Sequence, residues 1–253
     1  MSVRISPTTT GYAHIGHLLL ALVNEAHREN GEFYLRFEDY LLHHRTTYGA
    51  AKIEEFKDSY RSMLEWAGIE YIEHSSRDLL PIAEKYPSCS LKPYLDNYAA
   101  LLGSHSFLGC RNNAEFYLGV DYLKFHSYTP YITWNRVIWD NYFDVDPVIR
   151  GIDLASESSL YLFFASILEF RFPHLAYIPH LQLLGSGGQR QKLSKSQNLL
   201  PYQITEIMRK ASFADTLAVL KCCCLKEADG GFRMDNLKPE FVLHRDFMEI
   251  ETL

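Results

Sequence analysis

Two histidines stand three residues apart near the start of the chain, in the stretch Ser6-Pro7-Thr8-Thr9-Thr10-Gly11-Tyr12-Ala13-His14-Ile15-Gly16-His17. Imidazoles donate and accept hydrogen bonds near neutral pH, so a pair of them can hold an anion or stabilise charge developing on one. Gly16 has no side chain, so a flat ligand could approach the backbone between them closely. About 175 residues later comes Lys192-Leu193-Ser194-Lys195-Ser196, just after the glycine-rich Gly185-Ser186-Gly187-Gly188. Lysines beside a glycine-rich hairpin suit phosphate oxygens on a moving loop. Between the two lies Val148-Ile149-Arg150-Gly151-Ile152-Asp153, an apolar run ending in a cation, a glycine and a carboxylate. Each piece also has a bland reading. Histidines at a helix start often only cap it, and charged strand ends are often only solvated.

The elements around these residues give the reading direction. Val3 to Ile5 are β-prone, the Pro, Thr and Gly residues mark a tight turn, and Leu18 to Val23 run apolar into Asn24, Glu25 and Arg28 as a half-buried helix would. A strand-to-helix turn leaves free backbone N–H groups beside the positive end of a helix dipole, which is an anion site. Residues 31–39 alternate as a second strand ending in Arg36, Glu38 and Asp39. Strand, helix, strand implies a parallel sheet with ligands at the carboxyl ends of its strands. His14 and Glu38 then share one sheet edge.

Further along, residues 46–67 have helical apolar spacing and stop at Gly68, 71–76 form a short strand or loop, and 77–86 and 92–103 read as helical, broken at Pro87. Residues 104–130 are irregular and rich in aromatics (Phe107, Phe116, Tyr117, Tyr122, Phe125, Tyr128), which suits an insertion with a small core of its own. Residues 131–138 are expected to be a strand, 148–150 another, and 154–170 an apolar helix. Residues 176–179 and 181–184 lead to the glycine-rich hairpin. Everything after about 200 reads as helical, with runs at 201–211, 213–225 and 237–248. The expected organisation is a first half of a nucleotide-binding domain at 1–86, an insertion at 87–130, a second half at 131–200 and a helical tail at 201–253.

Composition narrows the class. The chain has 253 residues, 47% of them hydrophobic, enough for a large core, and a formal net charge of −6. General nucleic-acid binders are usually basic, so RNA contact here requires a local patch. The start has no charged stretch leading into an apolar run, and no segment approaches the ~20 apolar residues of a membrane span, so no secretion signal and no membrane partner are expected. Five cysteines, three of them adjacent at 222–224, argue for a reducing cytoplasm over a disulfide framework.

The histidine and lysine stretches together resemble the two signature motifs of the class I aminoacyl-tRNA synthetases. His14-Ile15-Gly16-His17 matches the first letter for letter, and Lys192 to Ser196 matches the second with Leu in place of Met. The glutamyl and glutaminyl branch is the most similar. It begins with an Arg and a Pro-containing Ser/Thr turn (here Arg4 and 6–10), has a strand ending Arg-Ile-Glu-Asp (here 36–39), and carries Val-Ile-Arg-Gly-Glu-Asp (here 148–153). The resemblance covers roughly residues 3–85 and 131–200. It implies an α/β fold with a Rossmann-like parallel sheet, split by the insertion and followed by a short helical tail.

It also implies a chemistry: attack of an amino acid carboxylate on the α-phosphate of ATP, with Mg2+ accompanying the nucleotide. By the resemblance, His14, His17 and Lys195 are catalytic. Gly16, Gly151, Asp153, Lys192 and Ser194 contact ATP, with Asp153 on its ribose. Arg4, Thr8, Glu38, Arg150, Tyr131 and Ile132 face the amino acid, Glu38 holding its α-amino group. Arginine forks suit carboxylates, so glutamate is the expected amino acid and tRNA the expected acceptor.

Departures accompany the match. Ile132 stands where the family has a substrate-contacting Tyr, and Ile152 replaces the Glu after Gly151. About 55 residues follow Ser196, too few for the family's anticodon-reading region. The layout resembles the truncated glutamyl-queuosine tRNA(Asp) synthetase family, which holds a zinc ion in its insertion. This insertion offers Cys89 and Cys110 with Tyr94 and Tyr98 near them, too few thiolates for a closed zinc site, so no metal site is expected. Two other functions stay open. One is a freestanding ligase passing the adenylate to a carrier or small molecule, and the other is an inactive paralogue that binds a partner.

Overall fold

The structure, a computed structural model, describes residues 1–39, 42–83, 85–86, 129–184, 189–192, 202–227 and 229–244. Three short parallel strands form the first sheet. They are β1 (Val3–Ile5), β2 (Phe33–Phe37) and β3 (Ile72–Ser75), with Arg4 opposite Tyr34 and Arg36 opposite His74. Helix α1 (Ile15–His27) makes the crossover from β1 to β2, and α2 (Leu42–Trp66) the crossover from β2 to β3. The strand–helix–strand reading of the first 39 residues therefore holds. α2 is kinked at Gly49, where φ is +74°, and stops at Gly68. Gly68 has φ +67°, a left-handed conformation that glycine adopts without a Cβ penalty, while the N–H of Ile69 closes on the carbonyl of Leu64.

The second half adds a parallel pair, β4 (Val148–Gly151) and β5 (Leu175–Ile178), with Arg150 opposite Tyr177. A bridge between Ser2 and Val145 sets β4 beside β1, so both halves bring their strand ends to one edge. Between the halves lie α3, which is only Leu80–Ala83, and α4 (Thr129–Tyr142). After β4 comes a 3-10 turn at Ile152–Glu157 and then α5 (Ser158–Ile167).

Two expectations are overturned. Residues 131–138 belong to helix α4. Their aromatic and β-branched content favours a strand locally. However, Trp134, Val137 and Ile138 recur at helical spacing and bury against Leu160, Tyr161 and Phe164 of α5, and that packing decides the conformation. The tail is not all helical either. α6 (Ile204–Lys210) and α7 (Phe213–Cys224) are helices, but β8 (Phe241–His244) is a strand. It joins β6 (Leu181–Leu184) in parallel, and β6 pairs antiparallel with β7 (Arg190–Lys192) on its other side. The aromatic insertion, residues 92–103 and the hairpin at 185–188 lie outside the described residues.

The main core runs through both halves. Val3, Ile15, Leu18, Phe33, Leu35, Tyr60, Leu183, Ile204 and Phe241 are all fully buried in one cluster. The tail strand and helices thus share a core with the histidine-bearing helix. Among the described residues no helix is long and apolar enough to cross a membrane.

Candidate active site

The turn from β1 into α1 is built by the two histidines themselves. His14 is the N-cap of α1, and its Nδ1 accepts from the Gly16 N–H at 3.1 Å. The His17 Nδ1 accepts from the His14 N–H, also at 3.1 Å, which completes a reciprocal capping box. Because both Nδ1 atoms accept, each neutral ring carries its proton on Nε2. The rings lie 3.8 Å apart, and the His17 Nε2 is 3.4 Å from the Tyr60 hydroxyl. Burial raises the pKa of that phenol, so it stays protonated. Gly16 serves a different purpose from the one its sequence context suggests: a Cβ there would lie 3.0 Å from the His14 ring, so the imidazole itself occupies the space.

Neighbouring elements pin this turn. The Ala13 N–H donates to Ser59 Oγ of α2 at 2.8 Å, and the Ala13 carbonyl accepts from the Ile204 N–H of α6 at 2.9 Å. Beside it opens a cleft of about 550 Å³, lined by Thr8, His14, Gly16 and His17 from the first half and by Arg136, Gly151, Asp153 and His180 from the second. That volume suits a small-molecule site. The Asp153 side chain folds back over Gly151, where an added Cβ would lie 2.6 Å from its Oδ1. Residues separated by more than 130 positions, Gly16 with Gly151 and Asp153, thus line one cleft.

Behind the cleft is a buried charge cluster. Asp140 of α4 binds Arg4 at 3.0 and 2.8 Å and Arg36 at 2.8 Å, and accepts from the Tyr161 hydroxyl at 3.0 Å. Burial pushes the Asp140 carboxyl up, but the two guanidiniums outweigh it and hold the group well below the usual carboxylate range. Glu38 is bound through both oxygens by Arg136, at 2.7 and 2.6 Å, and Arg136 reaches Glu157 at 3.1 Å. Glu38 is likewise held low, burial being outweighed by Arg136. Thr8 bridges to Glu38 through the backbone and lines the cleft.

Arg150 is the exception. It is 2% exposed, and none of its three guanidinium nitrogens has a hydrogen-bond partner among the described residues. The cation lies over the rings of Tyr161 and Tyr177, at 5.2 and 5.8 Å. Burial lowers its pKa, although an arginine remains charged.

Other expected site residues fall elsewhere. Ser194 and Lys195 lie outside the described residues, as do the side chains of Lys192, Tyr131 and Ile132, although Lys192 ends β7 and the other two lie in α4. Among the described residues no group of three or more His, Cys, Asp or Glu could hold a metal. Sequence reasoning missed Arg136, Asp140 and Tyr161. Arg136 and Asp140 are four apart on one helix, a spacing that carries meaning only if 131–138 is read as helical.

Residues 1–91 match the family of class I tRNA synthetases (E and Q), catalytic domain. A glutamate-tRNA synthetase structure from Elizabethkingia anophelis superposes with a TM-score of 0.62 at 13% identity, covering 98% of this chain and 69% of that one. The glutamate–tRNA ligase of Chlorobaculum parvum is 44% identical over 68 residues, 26% of this chain. Glutamate–tRNA ligase 1 of Helicobacter pylori is 22% identical over 258 residues, 82% of this chain. The chain spans 12% of the length of the first of these ligases and 55% of the second. The strand–helix–strand unit, with its histidine turn, lies inside the stretch that is similar to class I synthetase catalytic domains.

Proposed function

We propose that the cleft activates a carboxylic acid with ATP, giving an acyl adenylate and pyrophosphate. A carboxylate oxygen attacks the α-phosphorus while the bond to the pyrophosphate oxygen breaks. The observation that carries this reading is the meeting of His14, Gly16 and His17 with Gly151 and Asp153 around one cleft. The Nε2–H edges of the two histidines, beside a helix N-terminus, would donate to phosphate oxygens as charge develops. Asp153 would accept from the ribose hydroxyls, and Gly16 and Gly151 leave room for the His14 ring and the Asp153 carboxylate. Lys192 and Lys195 would neutralise the outer phosphates and Ser194 would donate a hydrogen bond to them, where Mg2+ would travel with the nucleotide.

The acid is acidic in its own right. Arg150 is a buried cation without a hydrogen-bond acceptor among the described residues, and a second carboxylate on the substrate would supply one. The names of the relatives point to glutamate, with Thr8 on the cleft wall, Arg4 and Glu38 in the charge cluster behind it, and Tyr131 and Ile132 as further proposed contacts. The same names make tRNA the proposed acceptor, and a cytoplasmic location follows from that role.

ATP–pyrophosphate exchange measured across the twenty amino acids and a set of other small carboxylic acids, with and without tRNA, tests the reading. Exchange stimulated by an acidic carboxylate is the expected result. No exchange with any acid sinks it.

A further inference from the structure

Tyr48 lines the cleft together with the histidine turn, and 39% of it is exposed. The backbone beside it is unusual. Gly49, the next residue, has φ +74° and ψ 161°, a conformation open almost only to glycine, and α2 kinks there. Packing does not call for a glycine, because a Cβ at position 49 would meet nothing within 4 Å. The direction of the chain does, and the residue whose direction it sets is Tyr48.

The ring is braced. Tyr48 and Phe56 make a T-shaped contact, with centroids 5.5 Å apart and planes at 79°. Phe56 is buried and is met in turn by Tyr12, at 4.9 Å and 89°. Lys52 Nζ lies over the Tyr12 and Phe56 rings, at 4.8 and 5.6 Å. A T-shaped contact covers at most one face of a ring, so Phe56 leaves at least one face of Tyr48 uncovered. The brace is continuous with the histidine turn. The Ser59 hydroxyl donates to the Phe56 carbonyl at 2.6 Å and accepts from the Ala13 N–H at 2.8 Å. One turn of α2 therefore fixes the Tyr48 ring relative to the N-terminus of α1.

The cleft thus carries two binding surfaces of different chemistry. The histidine turn offers N–H donors at a helix N-terminus, which suit a phosphate. Tyr48 offers the face of a ring, which suits a flat group on the ligand. A nucleotide has both. We propose that Tyr48 is a binding residue of this cleft, a stacking face for the base of the bound nucleotide, and that Gly49 positions it. This rests on the nucleotide part of the activation reading and adds the contact that holds the base.

Titration calorimetry on the full chain, with ATP as the probe and no carboxylic acid present, tests this. Tyr48→Phe keeps the ring and is expected to bind ATP as the wild-type chain does. Tyr48→Leu keeps apolar bulk without a ring and is expected to bind about tenfold more weakly, the scale of one base stacked on an aromatic side chain. Gly49→Ala disfavours the positive φ. It is expected to weaken ATP binding by a similar factor in the wild-type background and to add nothing in Tyr48→Leu. Wild-type affinity in Tyr48→Leu overturns the proposal, as does a Tyr48→Phe variant as weak as Tyr48→Leu, and as does a wild-type chain that does not bind ATP. Full additivity of Gly49→Ala with Tyr48→Leu overturns the positioning role. A second readout needs no variant: nuclear Overhauser contacts between the adenine protons of bound ATP and the Tyr48 ring are expected in the wild-type chain, and their absence overturns the proposal. Both readouts are separable from exchange. Ring-dependent ATP binding with no exchange removes the activation reading alone, whereas exchange with unaltered ATP affinity in Tyr48→Leu removes the stacking contact alone.

Discussion

Asp140 holds Arg4 through both of its carboxylate oxygens, across 136 residues of sequence, and shares one of those oxygens with Arg36. The pair ties helix α4 of the second half to strand β1 of the first. Because the folded carboxyl titrates below its unfolded value, its contribution to stability is complete above about pH 4 and is lost as the pH falls further. Glu38 has the same sign. Asp140→Asn leaves two buried guanidiniums without a counter-charge and is expected to cost about 3–5 kcal/mol at pH 7. Urea unfolding at a series of pH values checks this. The gap between variant and wild type should shrink as the solution is acidified, and a gap that stays constant would contradict the assignment.

The capping box makes a prediction in which stability and activity separate. His14→Ala removes the N-cap acceptor and should lower stability by about 1 kcal/mol along with activity. His14→Asn keeps a cap acceptor but has no ring edge facing the cleft. It should unfold at nearly the wild-type temperature while pyrophosphate exchange falls by about 100-fold or more, the scale of losing one preorganised donor. An Asn variant with normal exchange would mean that His14 only caps the helix.

Gly151 and Asp153 should behave as one unit. A methyl group at position 151 would meet Asp153 Oδ1 at 2.6 Å, so Gly151→Ala must push that carboxylate away. Gly151→Ala and Asp153→Ala are each expected to raise the KM for ATP about tenfold, the worth of roughly one hydrogen bond to a charged group, with kcat little changed. Combining them should add little beyond either alone, and steady-state exchange kinetics would reveal full additivity if the two act separately.

Arg150 sets stability against binding. Replacing this buried cation, which has no hydrogen-bond acceptor among the described residues, with an apolar chain of similar length removes a desolvated charge. Arg150→Met is therefore expected to raise stability by about 1–3 kcal/mol while abolishing affinity for an acidic ligand. Thermal unfolding with and without ligand measures both. A destabilised Arg150→Met would show that the tyrosine faces already satisfy the cation.

The first 75 residues were legible because each local signal agreed with the next. β-prone residues, a Pro/Thr/Gly turn, an apolar helix and an alternating strand all indicate the same crossover, and the histidine spacing falls on its cap. Gly68 ended α2 where a left-handed residue was needed. Residues 129–142 were not legible as a helix, since Tyr131, Ile132, Thr133 and Trp134 favour a strand until Leu160 and Phe164 bury the helical stripe. Reading a strand there also hides the pairing of Arg136 and Asp140, which one helix turn places beside Glu38 and Arg4. Phe241 to His244 were too short a run to tell from the end of an amphipathic helix, and only pairing with β6 makes them a strand.

That pairing has a consequence for how the protein is made. The first parallel sheet has all its strands once residue 75 has been synthesised, long before the rest of the chain exists. β6, whose hairpin partner β7 leads directly into the lysine segment, gains its other neighbour only when residues 241–244 emerge. On the ribosome, the histidine wall of the cleft can be built early. β6 waits for that neighbour through the synthesis of everything between residues 75 and 241, so the two walls of the cleft are completed at different stages.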